Sequence, residues 1–141
     1  MLHLIKLSVG AKEVADLAAW QAERARTHPP LRHVTRMMPR KVAELLDGGS
    51  IYWVIAGFVR VRQRILDIRE EQHEDGTACC GLVLHKALVP VELRPQKPFQ
   101  GWRYLDPAAA PPDLPKGAVA AAGLEKLPPA LRRHLQELCL I

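Results

Sequence analysis

The spacing of apolar and polar positions changes period several times along the chain, and each change marks an element. Residues 2–9 alternate in part, with Ile5, Leu7 and Val9 on one face and Leu2 and Leu4 on the other. That predicts a first strand with apolar side chains on both faces, ended by Gly10. Residues 12–27 shift to a helical period, and Val14, Leu17, Ala18, Ala22 and Ala25 form one stripe. Glu13 and Asp16 suit the positive end of that helix dipole, Arg24 and Arg26 the negative end. Pro29-Pro30 stops the helix. Residues 32–38 are short and β-compatible. Pro39 suits the first position of a second helix that runs to about Leu46, with Val42, Leu45 and Leu46 inward.

The densest signal is Leu45 to Gly57. The second helix ends near Asp47, and Gly48-Gly49 suits positive φ. Ile51, Tyr52, Trp53, Val54 and Ile55 are five consecutive strand formers, which predicts a strand buried on both faces. Ala56-Gly57 turns into a long strand over residues 58–70. There Val59 and Val61 share one face, and Arg60, Arg62 and Arg64 share the other. Leu66 and Ile68 have the parity of the arginines, so a bulge near Gln63 or Arg64 is expected to return them to the core. Asp75-Gly76 marks a hairpin, followed by strands over Thr77–His85 and Leu88–Leu93. Pro90 argues for an edge or a bulge in the latter.

Residues 95–98 read as a loop, and Phe99 to Leu105 packs three aromatics into seven residues. Residues 106–117 read as a proline-rich linker extended over the surface. Pro128-Pro129 opens a last helix with Leu131, Leu135 and Leu138 on one stripe. The chain is thus read as one domain over residues 1–141. Its core covers about 1–105, the linker 106–117 and a C-terminal helical segment 118–141. The class is α+β, a small and mainly antiparallel barrel flanked by helices.

Composition narrows the classes. A chain of 141 residues with 48% hydrophobic content suffices for one core. No apolar run approaches the ~18 residues of a membrane span. The start, Met1 to Leu7, lacks the pattern of a signal peptide, so a cytoplasmic location is expected. Cys79, Cys80 and Cys139 are odd in number and wrongly spaced for a disulfide framework or a zinc site, and no metal or cofactor is expected. A net charge of +5 is carried by arginine, concentrated between Arg32 and Arg69. Arginine suits planar recognition of phosphate or carboxylate, so an anionic partner is compatible, as is a merely cationic surface.

The order helix, Gly-Gly turn, buried strand, Gly turn, long basic strand and hairpin over residues 30–105 resembles the PUA-like superfamily, including its ASCH members. The turn departs from the family pattern, since serine rather than aspartate follows Gly49. More closely, the chain resembles an uncharacterised bacterial family, domain of unknown function 1489. The resemblance is carried by Met1 to Leu7, His33 to Met37, Leu45 to Gly57, Arg62 to Leu66 and Pro98 to Leu105. It implies a fold pattern and no activity.

Three groups of residues carry candidate chemistry. Arg60, Arg62 and Arg64 on one strand face would stand about 6.6 Å apart, close to the spacing of phosphates along a nucleic-acid strand. They equally suit a solvated face paired with Asp67, Glu70 and Glu71. His33 and Arg36 precede the second helix and could hold an anion. Gln100, Trp102, Arg103 and Tyr104 join stacking rings to groups that read a base edge, or else cap the barrel end. Together they lead to RNA or modified-nucleotide recognition through a basic groove of a PUA-like domain. Two other classes stay open. One is a small hydrolase of an anionic ligand: the ASCH resemblance implies lysine, threonine and glutamate, types that Lys41, Thr35 and Glu44 supply, while Lys41 and Glu44 equally suit a surface ion pair. The other is a protein adaptor using the C-terminal helix, and a homodimer is compatible with that stripe. No catalytic motif is present.

Overall fold

In a computed structural model, residues 1–114 are described. The predicted helix carrying Leu131, Leu135 and Leu138 lies outside them. The elements in order are β1 (His3–Leu7), α1 (Val14–Thr27), β2 (Arg32–Thr35), α2 (Val42–Leu46), β3 (Ser50–Ile55), β4 (Phe58–Gln72), β5 (Ala78–Leu84), β6 (Val89–Pro95) and β7 (Trp102–Leu105). The class is α+β, with one seven-stranded sheet.

The strands follow the path β2-β5-β4-β3-β1-β7, with β6 also on β4. Among the described residues this path stays open, where the sequence led to a closed barrel. Its terminal strands are short: β2 pairs with β5, β7 pairs with β1, and neither pairs with the other. Side chains take over where a ladder would have closed. Trp102 Nε1 donates to the carbonyl of Met37 at 2.9 Å, and the Tyr104 hydroxyl accepts from the backbone N–H of Arg40 (2.9 Å) and Lys41 (3.2 Å). One pair, β1 with β3, is parallel, which the hairpin signals gave no reason to expect.

All six residues of β3 are buried, so its apolar run reads correctly as a two-faced core strand. One face carries Leu4, Ile51, Trp53, Ile55, Val61, Ile65 and Leu82, and packs on Leu17 of α1 and Leu45 of α2. The other carries Ile5, Tyr52, Val54, Val59 and Val91, with Phe99, Leu105 and Ala110 against them. Burial of each such side chain contributes about 1.5–3 kcal/mol.

The long strand β4 pairs with β3 over Phe58–Arg64, with β6 over Phe58–Arg62, and with β5 over Ile65–Gln72. Its irregularities fall at Arg60 and Leu66, not near Gln63 or Arg64. At Arg60, Val59 lies opposite Val54 while Val61 lies opposite Trp53, so the two valines join different core faces. At Leu66, between Ile65 and Asp67, Ile68 returns to the core but Leu66 stays 52% exposed.

The first helix opens on Asp16, whose Oδ2 accepts from the backbone N–H of Lys12 (2.9 Å) and Glu13 (3.1 Å). This satisfies two donors at the positive end of the helix. Of the predicted stripe only Leu17 is buried, and Ala18, Ala22 and Ala25 face outward. The second helix is a single short turn that begins at Val42 rather than Pro39. The described part of the proline-rich segment lies along β6. Glu92 N–H donates to Pro112 O (2.9 Å), Leu114 N–H to Pro90 O (3.0 Å), and Asp113 forms a bridge to Val91.

Candidate functional site

The two ends of the open sheet contribute to one cleft of about 980 Å³. Its floor comes from Lys6 and Leu7 of β1, Trp53 of β3 and Leu84 of β5. One wall is Leu17, Trp20, Gln21 and Arg24 of α1. Opposite stand Arg32 to Met37, and Gln100 and Trp102 close the end. The spacing 17, 20, 21, 24 puts those helix residues on one side. It is this wall, rather than the alanine stripe, that faces the sheet.

Lys6 lies in register with Trp53 on one side and Trp102 on the other, so its side chain shares a sheet face with both indoles. Burial pushes its pKa down. The His33 ring packs edge-on to Trp53, with centroids 5.2 Å apart. Its Nε2 is buried without a hydrogen-bond partner among the described residues. Burial, then the charges of Lys6 and Arg24, push its pKa down to about 4, so the imidazole is neutral at pH 7.

Two of the cleft's charges are already matched. Arg32 Nε holds the Glu71 carboxylate at 2.9 Å, and Glu23 holds Arg26 at 2.6 Å. Lys6, Arg24 and Arg36 make no ion pair with a described residue. The cleft therefore carries positive charge unmatched by described residues, beside Trp53 and Trp102.

Among the residues picked from the sequence, His33, Arg36, Gln100 and Trp102 meet in this cleft. The others do not join them. Arg60 is buried at the first irregularity of β4. Arg62, opposite Tyr52, bonds Asp113 through Nε (2.6 Å) and Nη2 (2.7 Å), and donates to Ser50 Oγ at 3.2 Å. Arg64 is exposed opposite Ser50. Arg103 lies over the Phe99 ring at 4.5 Å, outside the cleft. Tyr104 is committed to the entry of α2. The expected row of three arginines does not form, because the irregularity at Arg60 breaks the strand period. Asp67 and Glu71 pair with Arg69 and Arg32 instead of with that row.

Sequence reasoning missed Lys6, Arg24 and Trp20 as members of the site; of Tyr52 and Trp53, whose alternation allows one to face a cleft, it is Trp53 that borders this one. A signal existed for Lys6. It shares strand parity with Leu2 and Leu4, and a charge on an inward face is unusual. Arg24 was legible only as a partner of the helix dipole.

The hydrolase residue types are not gathered. Thr35 lines the cleft, whereas Lys41 and Glu44 are exposed at α2. The Cys80 thiol is fully buried and pushed up to about 11, which leaves it protonated and a poor nucleophile. Among the described residues no cluster of His, Cys, Asp and Glu is placed to hold a metal ion, and no helix is long and apolar enough to cross a membrane.

The profile of the family described as "Protein of unknown function (DUF1489)" matches residues 4–141. The chain belongs to the DUF1489 family. No curated protein and no solved structure matches it. In this DUF1489 protein the segments His33 to Met37 and Pro98 to Leu105 supply adjoining parts of the cleft, joined by the bond from Trp102 Nε1 to Met37 O. Leu45 to Gly57 supplies the core strand that carries Trp53 beneath them.

Proposed function

We propose that the cleft recognises RNA or a modified nucleotide. The observation that carries the reading is the set of Lys6, Arg24 and Arg36, unmatched by described acids, around Trp53, Trp102 and the Gln100 amide. Cations that track phosphate, aromatic rings that stack on bases and one amide that reads an edge are the parts of single-strand recognition. The PUA-like resemblance of residues 30–105 and the expected cytoplasmic location are part of the same proposal. Arg62 is not in this version of the groove, since Asp113 already occupies its guanidinium.

The test is fluorescence anisotropy of labelled single-stranded RNA with the full chain at low and high salt. Binding is expected to weaken steeply with salt, by about 0.7 in log–log slope for each phosphate contact. The double variant Arg24→Glu/Arg36→Glu is expected to lose binding, and Arg62→Glu to keep it. Absence of binding at low salt, or loss in Arg62→Glu alone, overturns the reading.

A further inference from the structure

We infer, on the reading that the cleft is an RNA site, that it takes a single unpaired nucleotide, with phosphate between Lys6 and Arg24 and the ring against Trp102, and that it excludes a duplex. Three observations lead there. The first is depth. Lys6 is a floor residue, half-buried on β1, with β3 on one side and the terminal strand β7 on the other. Rim arginines could meet the outside of a double helix, but a cation at the floor meets only a phosphate that enters the cleft.

The second is what the indoles have left to offer. Trp102 gives its N–H to Met37 O, and Trp53 gives its N–H to Gln63 Oε1. Neither donor is open to a ligand, and Trp53 is all but closed to solvent under His33, so it is the half-buried ring of Trp102 that offers a π surface. A base offers its face only when it is unstacked from one neighbour, which is the state of a strand end, a loop or a free nucleotide. The Gln100 amide, which bonds to no described residue, is the polar group left at that end of the cleft to read an edge.

The third is shared electrostatics. Lys6 comes from β1 and Arg24 from α1, yet both act on His33, so the two charges converge on one region of the cleft. A neutral His33 beside them adds no competing charge. The cavity, about 980 Å³, lies at the upper end of the ~300–1,000 Å³ range of small-ligand pockets, ample for one nucleotide.

The chain supplies its own reporter. All three of its tryptophans, Trp20, Trp53 and Trp102, line the cleft. Intrinsic fluorescence is titrated with adenosine monophosphate, adenosine, a single-stranded oligoadenylate and a blunt RNA duplex. The monophosphate and the single strand are expected to quench. Adenosine without phosphate is expected to bind roughly tenfold more weakly, and the duplex not to quench. Lys6→Met is expected to weaken the monophosphate by roughly tenfold or more, and Lys6→Arg to restore it in part. Should Lys6→Met misfold by circular dichroism, Arg24→Gln on the exposed helix wall makes the same test.

A duplex that quenches as well as the single strand overturns the inference. So does a monophosphate that binds no better than adenosine. An affinity unmoved by both Lys6→Met and Arg24→Gln does the same. In those cases RNA still binds and the broader proposal stands. If no RNA of any kind binds, both fall together.

Discussion

The indole N–H of Trp53 donates to Oε1 of Gln63 at 3.1 Å, and both side chains are all but closed to solvent, at 2% and 0% exposure. Gln63 is then fully used. It exchanges bonds with the Gln21 amide of α1 in both directions, at 2.8 and 2.7 Å, and its Nε2 also donates to His85 O at 2.7 Å. One buried amide therefore joins three elements: the core strand β3, the cleft wall α1 and the turn after β5.

Gln63→Leu is the sharpest probe of that junction. It leaves the buried Trp53 N–H and the part-buried His85 carbonyl without their partner. Each such group costs about 1–3 kcal/mol, so a loss of roughly 2–4 kcal/mol in urea unfolding is expected. Because Gln21 is freed with it, hydrogen exchange along α1 should quicken more than along β5.

His33 makes the fold sensitive to acid. Its pKa in the folded state is about 4, below the ordinary 6.5. The unfolded chain therefore binds the proton first as pH falls, and stability drops between about pH 6.5 and pH 4 before levelling off. At full extent the effect is roughly 3 kcal/mol. His3, also held low chiefly by burial, adds to the loss in the same direction. His33→Phe, which keeps a ring beside Trp53, is expected to remove much of the slope in chemical denaturation followed against pH.

Gly49 is constrained by space rather than by φ. A Cβ there would lie 3.0 Å from the carbonyl carbon of Leu45 and closer still to the carbonyl oxygens of Leu2 and Leu45. These are backbone atoms that cannot rotate away. Gly49→Ala is expected to cost roughly 3 kcal/mol or more in thermal or urea unfolding, against about 1–2 kcal/mol for Gly76→Ala, where the space is open and only the positive φ of 86° opposes a side chain.

At the turn between β3 and β4, Ile55 pairs with Phe58, and the two residues between them both have positive φ: Ala56 at 50° and Gly57 at 85°. Two-residue hairpins of this kind favour Asn-Gly. Alanine is held in a conformation that disfavours its Cβ. Ala56→Asn is expected to raise stability by roughly 0.5–1 kcal/mol, seen as a higher melting temperature with no change in ligand binding.

The ion pair of Arg62 with Asp113 fastens residues 106–114 over β6. Asp113 lies below the usual carboxylate range because it accepts hydrogen bonds from Arg62. The pair is partly solvated, so Asp113→Ala is expected to cost only about 1 kcal/mol globally. The local effect should be larger. Cleavage within 106–114 under limited proteolysis should quicken, and the amides of Glu92 and Leu114, which bond across this seam, should lose protection.

Much of the architecture was legible from periodicity. The buried strand β3, the hairpin at Asp75-Gly76 and the helix before Pro29 follow from local rules that the tertiary fold respects. The failures share a physical origin in pairings between distant segments. The parallel partnership of β1 with β3 has no local signature. Nor does the irregularity at Arg60, whereas the parity change in β4 did announce a second one and left only its position, Leu66, to the pairing with β5. Site residues fared likewise. His33, Arg36, Gln100 and Trp102 come together because β2 and β7 end near each other, whereas Arg62 was captured by Asp113, fifty-one positions away. Lys6 was hidden in plain view, as one polar letter in an apolar strand.

The place of β1 in the sheet has a consequence for how the chain must be made. Residues 3–7 leave the ribosome first among the strands, yet their two neighbours are residues 51–54 and residues 102–105. The first of these strands to be synthesised thus waits through almost a hundred residues for its second partner. Until Trp102 to Leu105 arrive, it borders the sheet with an open row of backbone donors and acceptors, an invitation to pairing with other chains. Nascent chains halted before β7 should therefore be the ones that chaperones hold and that cluster when released.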